Sequence, residues 1–242
     1  MPVPKSQTEE AATRKGLNRW LANALGEVSQ VSMELLPAGF CAGIDLSTDP
    51  AANGAFDDTS TIAAVNRLTA AVVACPKPTI AAVKSPAVGF AVSLALSCDL
   101  VLASESAYFI LAFTRIGLMP DGGSIALIAA SIGRTRALRM ALLAERLVAH
   151  QALGAGLLSA VYADAVFDHG TAAIAGWLAS GPTLTFAATK RAINAATIPR
   201  LDAMLTNELR SQAVLLTSPD FDEGCTAFRE KRPPMFTGRA TS

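Results

Sequence analysis

The chain has 242 residues, of which 51% are hydrophobic and 17% charged, and its 20 basic side chains balance its 20 acidic ones. Because there is no excess of positive charge to hold a phosphate backbone or an anionic membrane surface, we expect no nucleic-acid partner. The length allows one large domain, and the high apolar fraction favours an oligomer over a monomer.

The cysteines are dispersed and form no CxxC pair, and the chain has two histidines, so we expect neither a metal site nor a metal cofactor. The N-terminus lacks the apolar segment of a signal peptide, and no unbroken apolar run reaches the roughly 18 residues of a membrane span. These features predict a cytoplasmic protein with reduced thiols and no membrane insertion.

Helices and strands alternate in the first part of the chain. Residues 1–16 are polar and aperiodic, and we expect a loose leader there. The spacing of apolar residues then predicts, in chain order, a helix in LNRWLANALGEV, a strand in VSMELL, a helix in TIAAVNRLTAAVVAC, a strand in TIAAV, a helix in GFAVSLALSCDL, strands in DLVLAS and AYFILA, and helices in GGSIALIAASIG and RTRALRMALLAERL. This alternation indicates a largely parallel sheet.

The pattern changes to helices alone near residue 170. The segments TAAIAGWLAS, TLTFAATKRAINAA and RLDAMLTNELRSQAVLLTS are helical, and in the last of them Leu201, Leu205 and Leu209 predict an apolar stripe. Ser218 followed by Pro219 predicts the start of one more helix. We therefore divide the chain into the leader, a core of residues 17–170 and a C-terminal helical region of residues 171–242.

Two segments with glycine-bearing turns can present backbone N–H groups to a ligand. They are FCAGIDL, with Gly43, and KSPAVGFAVSLALSCDL, with Gly89 before a predicted helix. A helix N-terminus favours negative charge, and two N–H donors can form an oxyanion hole. The same glycines can also serve only to turn a strand into a helix.

Four segments resemble the crotonase family, the enoyl-CoA hydratases and isomerases, over roughly residues 17–239. They are GFCAGIDL, KPTIAAVKSPAVGFAVSLALSCDLVLAS, IGLMPDGG and SPDFDEGCTAFREKRPPMFTG. The resemblance implies an α/β fold, the crotonase spiral of ββα turns, with a helical C-terminal region that packs trimers, often paired into hexamers. It also implies an acyl-CoA thioester as substrate and no cofactor.

The resemblance also assigns candidate site residues. The backbone N–H groups of Ile44 and Phe90 fall where the family polarises the thioester carbonyl. Residues beside them and around the expected pocket are candidates for substrate binding: Phe40, Ala42, Gly43, Gly89, Ser93, Phe113 and Met119.

The chain departs from the hydratases of this family at two positions. Where they have two catalytic glutamates, this chain has Ser93 and Phe113. Neither side chain activates water as a base at neutral pH without a partner, which puts hydration by two carboxylates in doubt.

Asp121, in RIGLMPDGG, allows two interpretations. It matches the aspartate that serves as acid and base in the branch resembling ring-1,2-epoxyphenylacetyl-CoA isomerases. Aspartate is also a favoured helix N-cap, and Gly122, Gly123 and Ser124 fit a helix start. Burial would raise its pKa and the helix dipole would lower it, so the sequence leaves the direction open.

These features predict an enoyl-CoA isomerase in which Asp121 moves the proton. An enoyl-CoA hydratase of fatty-acid oxidation and a non-catalytic acyl-CoA binding protein remain alternatives. Lys190 and Arg191 are candidates for contact with the phosphates of coenzyme A, or are solvated helix charges.

Overall fold

The structure is a computed structural model that describes residues 31–33 and 59–239. Within these ranges the strands are β1 (Val31–Met33), β2 (Thr79–Val83), β3 (Ala87–Val88), β4 (Leu100–Ser104), β5 (Tyr108–Ile110), β6 (Leu147–Val148) and β7 (Ala160–Tyr162). The α-helices are α1 (Ser60–Ala74), α2 (Phe90–Ser97), α3 (Ser124–Leu143), α4 (Ala149–Ala155), α5 (Phe167–Ala179), α6 (Thr183–Thr197), α7 (Leu201–Leu215) and α8 (Pro219–Glu230). Short 3₁₀ helices cover Ala112–Ile116 and Asp164–Val166. None of the helices in these ranges combines the length and hydropathy that a membrane crossing requires.

The described strands form two sheets. The first has the order β1-β2-β4-β7 and is parallel throughout, while the second has the order β3-β5-β6, with β5 and β6 antiparallel. All five residues of β2 are buried, as expected for the apolar run of a parallel strand covered on both faces. The predicted alternation of strands and helices and the largely parallel pairing are therefore confirmed for the described residues.

Helix α2 lies at the centre of the apolar core. Seven of its eight residues are buried, and it contacts β2, β3, β4, α1 and α3. A helix that is apolar on all sides needs such complete enclosure. Its N-terminus is therefore a fixed point in the fold.

Two predicted helices form one bent element. GGSIALIAASIG and RTRALRMALLAERL are joined in α3, which bends where Gly133 adopts φ 76° and ψ 160°. The leader and the helix predicted in LNRWLANALGEV lie outside the described residues.

The apolar stripe predicted for α7 is wrong at its third position. The buried face of α7 consists of Leu201, Leu205, Glu208 and Gln212, whereas Leu209 is half-buried. A helical period of 3.6 leads from residues 201 and 205 to 208 and 212, so two polar side chains enter the interior.

Lysine 190 of α6 is buried in an internal ion pair. Its Nζ lies 2.8 Å from Oδ2 of Asp99, which also accepts hydrogen bonds from the backbone N–H and the hydroxyl of Thr79. Because Lys190 already has a carboxylate partner, a contact with coenzyme A phosphates is wrong for this residue; Arg191 is exposed.

The backbone of helix α8 packs directly against the backbone of residues 116–117, which lie just before the candidate site. A Cβ on Gly224 would lie 2.5 Å from Cα of Ile116, and one on Gly117 would lie 2.8 Å from the carbonyl carbon of Asp220. Ser218 begins α8 as predicted, since its hydroxyl accepts a hydrogen bond from the N–H of Phe221.

We expect Gly224→Ala to reduce the free energy of unfolding by about 1–3 kcal/mol, because backbone atoms of Ile116 occupy the space of the added methyl group. Gly176→Ala is the matched control: it lies in α5 with nothing within 4 Å of the added carbon, and should stabilise by about 0.5–1 kcal/mol. Urea unfolding followed by circular dichroism measures both. Equal stability of the two variants would contradict the close approach of α8.

Candidate active site

The turn of residues 119–123, between the first 3₁₀ helix and α3, depends on two glycines with positive φ. Gly122 has φ 65° and Gly123 has φ 82°. A Cβ on Gly122 would lie 2.6 Å from the ring of Phe90, and one on Gly123 would lie 3.1 Å from the methyl group of Thr69. Both conformation and space therefore require glycine, and the turn packs tightly against α1 and α2.

The side chain of Asp121 does not cap α3. The N-cap residue of α3 is Gly123, and no side chain of the turn before α3 makes a capping hydrogen bond. The Asp121 carboxylate instead accepts a 2.9 Å hydrogen bond at Oδ2 from Nε2 of Gln212, on α7. Of the two interpretations that the sequence left open, capping is therefore wrong.

Asp121 is only 8% exposed, and burial raises the pKa of its carboxyl group to about 6. The hydrogen bond from Gln212 opposes this shift, because it stabilises the ionised form. A carboxyl group with this pKa can both take up and release a proton near neutral pH, which is the property of a general acid and base.

The carboxylate at the N-terminus of α3 comes from Glu208 of α7. Its Oε2 accepts a 2.7 Å hydrogen bond from the N–H of Gly123, and the residue is 1% exposed. Burial raises the pKa of Glu208 to about 7; the Gly123 N–H lowers it, and the charge of Asp121 raises it further. We did not predict this residue from the sequence, although the helical period continued from Leu201 and Leu205 points to it.

The candidate donor at Phe90 stands at the start of α2. Gly89, the N-cap residue, adopts φ 61° and ψ −127°, a region open to glycine alone. As the first helical residue, Phe90 has an N–H group with no acceptor inside the helix, and the helix dipole favours negative charge beside it. Its ring packs against Gly122, so the donor and the Asp121 turn are neighbours.

Ser93 and Phe113 also lie at the candidate site. Ser93 is fully buried, and its hydroxyl donates a 2.8 Å hydrogen bond to the backbone carbonyl of Asp121. Phe113 is half-buried, with ring atoms 3.8 Å from the position of a Cβ on Gly89. The first side chain fixes the turn, and the second makes this side of the site apolar.

Met119 is half-buried, and its backbone N–H donates a 3.3 Å hydrogen bond to Oε1 of Gln212. Gln212 therefore holds the turn at two points, Met119 and Asp121. The structure brings together Gly89, Phe90, Ser93, Phe113, Met119 and Asp121, whereas Phe40, Ala42, Gly43 and Ile44 lie outside the described residues.

Metal ligands are not clustered in the part of the chain that the structure describes. No group of three histidine, cysteine, aspartate or glutamate side chains there could hold a metal ion. The buried Cys98, at the other end of α2, is no nucleophile at neutral pH, because burial raises the pKa of its thiol to about 12.

Comparisons with known proteins identify the family of the chain. Residues 10–239 match the family model described as enoyl-CoA hydratase/isomerase. A protein of Rhodobacter capsulatus named "Probable enoyl-CoA hydratase" is 43% identical over 95% of this chain and 89% of its own length. The 1,2-epoxyphenylacetyl-CoA isomerase of Escherichia coli is 38% identical over 83% of this chain and 78% of its own.

A solved structure extends the agreement to the fold. An enoyl-CoA hydratase from Mycobacterium avium subsp. paratuberculosis superposes with a TM-score of 0.83 and 46% identity, over 92% of this chain and 86% of that one. The crotonase fold expected from the sequence is thus confirmed. The chain belongs to the enoyl-CoA hydratase/isomerase family of enzymes.

Proposed function

We propose that this enzyme moves the double bond of an acyl-CoA substrate from the 3 to the 2 position, with Asp121 as its acid and base. The observation that carries the proposal is the buried carboxyl group of Asp121, with its pKa raised to about 6, in a turn that packs against the ring of Phe90 at the start of α2. It is supported by the resemblance of the chain to the isomerase of Escherichia coli.

The reaction requires one proton to change places. The ionised Asp121 removes a proton from C2 of a 3-enoyl thioester, and the electrons move onto the thioester oxygen to give a dienolate. The N–H groups of Phe90 and Ile44 stabilise that oxygen; such a donor contributes about 2.7–4 kcal/mol in other enzymes. Asp121 then returns the proton to C4, which leaves the double bond conjugated, without a cofactor.

Hydration requires more groups than isomerisation does. A hydratase has to activate a water molecule and also protonate the substrate carbon. Ser93 donates its hydroxyl hydrogen to the backbone of Asp121, and Phe113 has no proton to exchange. We therefore favour isomerisation over hydration, although the Rhodobacter capsulatus relative carries the hydratase name.

We further propose that the protein is a homotrimer or a dimer of trimers and acts in the cytoplasm. Large apolar side chains are exposed on the C-terminal helices, which supports burial against other copies: Trp177 66%, Leu184 87%, Ile193 55%, Val214 61% and Phe228 55%. The cysteines of the sequence are dispersed and form no CxxC pair, as is usual for a protein of a reducing compartment.

Light scattering after size-exclusion chromatography should give a mass three or six times the 25.0 kDa of one chain. The exposed apolar side chains are the physical reason, because they leave water only on assembly. A mass of 25.0 kDa at micromolar concentration would overturn the assembly while leaving the catalytic proposal intact.

Asp121→Asn should lower kcat for 3-enoyl-CoA isomerisation by about 10²–10⁴-fold, because the amide cannot accept the proton. Ultraviolet absorbance follows the reaction, since isomerisation forms the conjugated thioester and hydration of a 2-enoyl-CoA removes it. Asp222→Asn, at an exposed carboxylate of α8, is the matched control and should retain parental activity. Parental activity in D121N would show that a group other than Asp121 moves the proton. If the parent protein binds both thioesters and converts neither, it is a binding protein and the proposed reaction is wrong.

The D121N variant should also change how the stability of the protein depends on pH. The folded pKa of Asp121, about 6, exceeds its ordinary value of 3.8, so between pH 4 and 6 the folded state binds more protons than the unfolded one. This contribution to stability is complete at low pH and is lost as the pH rises through 6. From pH 4 to 7, D121N should therefore gain about 2 kcal/mol of unfolding free energy relative to the parent. Urea titrations at both pH values measure this gain, and parallel pH dependences would argue against a buried, ionising carboxylate.

A further inference from the structure

The position of Glu208 explains why the Asp121 carboxylate does not bind the N-terminus of its own helix, α3. An aspartate before a helix ordinarily accepts a hydrogen bond from the N–H two residues further on, in an Asx turn. For Asp121 that donor belongs to Gly123, at the positive end of α3. Both the helix dipole and the local geometry would draw the carboxylate back onto its own helix.

Another residue already occupies this donor. Oε2 of Glu208, 85 residues further along the chain, accepts the hydrogen bond of the Gly123 N–H at 2.7 Å. One turn later on the same face of α7, Nε2 of Gln212 donates to Asp121 at 2.9 Å and Oε1 accepts from Met119 at 3.3 Å. Helix α7 thus holds the turn at three points and leaves the Asp121 carboxylate away from the helix axis.

We propose that Glu208 is a positioning residue for the reaction: by accepting the Gly123 hydrogen bond in place of Asp121, it keeps the catalytic carboxylate on Gln212. This inference rests on the proposed role of Asp121 and assigns Glu208 no contact with the substrate. What matters in Glu208 is its acceptor oxygen rather than its negative charge.

The pKa of Asp121 reports whether its carboxylate is bound to Gln212 or to the N–H of Gly123. Glu208 is the titratable group that faces it from α7, and the two other helices packed on the turn present hydroxyl groups, Thr69 of α1 and Ser93 of α2. If Asp121 turned back onto Gly123, it would gain an N–H donor and the helix dipole, and both lower the pKa of a carboxyl group.

The test compares Glu208→Gln with Glu208→Met. The two side chains are of similar size, but Gln keeps an acceptor oxygen and Met lacks it. We expect E208M to lower kcat for isomerisation by about 10–100-fold, with little change in KM, and to move the acid limb of the pH profile below 6. We expect E208Q to retain most of the parental kcat and the parental limb. Parental behaviour of E208M, or equal loss in E208Q and E208M, would overturn the proposal.

Gln212→Met gives a second test that does not depend on the folding of E208M. It removes the donor that lowers the pKa of Asp121 but leaves Glu208 on Gly123. The acid limb should therefore move upward, opposite to E208M. A downward shift would show that Asp121 reaches the helix although Glu208 is present, and would refute the positioning role.

Carbon NMR of protein with labelled aspartate separates this inference from the proposed reaction. The Asp121 resonance is assigned by its loss in D121N and is titrated in the parent, E208Q, E208M and Q212M. If the parent lacks isomerase activity, the proposed function fails, yet the direction of the titration shifts still decides whether Glu208 keeps Asp121 off the helix.

Discussion

The burial of one carboxyl group, that of Asp121, is the constraint around which the site is built. In water an aspartate is ionised at neutral pH and is a weak base, whereas burial raises the pKa of this group to about 6. A pKa close to the working pH allows the same group to accept and return a proton. The burial also destabilises the folded chain at neutral pH, so other interactions have to hold the turn that carries it.

Those interactions come from residues far apart in the sequence. Thr69 of α1 donates to the carbonyl of Gly122 and Ser93 of α2 donates to that of Asp121, both at 2.8 Å. Glu208 and Gln212 of α7 hold the turn from the other side. The C-terminal helices, which we expect to form contacts between subunits, therefore also belong to the active site, and their removal would free the Asp121 turn.

Local signals were sufficient for most of the secondary structure. Apolar runs and helical spacing predicted β2 and α1, and Ser218 with Pro219 predicted the start of α8. The sequence favoured proton transfer by Asp121 but left capping of α3 open, because an aspartate before two glycines fits both roles. Capping was excluded only by Glu208, which lies 85 residues beyond Gly123 and accepts the hydrogen bond of its N–H group. The error at Leu209 has a similar origin, since a search for apolar residues passes over a carboxylate on the buried face.

Ser93 and Phe113, which stand where the hydratases of the family have glutamates, are consistent with a reaction that transfers one proton. With Ser93 bound to the backbone of Asp121 and Phe113 against Gly89, the described part of the site has Asp121 and Glu208 as its titratable groups. Glu208 accepts the hydrogen bond of Gly123, and its burial and the charge of Asp121 both raise the pKa of its carboxyl group, to about 7. A protonated neighbour adds no negative charge to the dienolate that forms in the proposed reaction. A second ionised carboxylate would repel that intermediate, so the upward shift of the Glu208 pKa acts in the same direction as the hydrogen bond by which Glu208 positions Asp121.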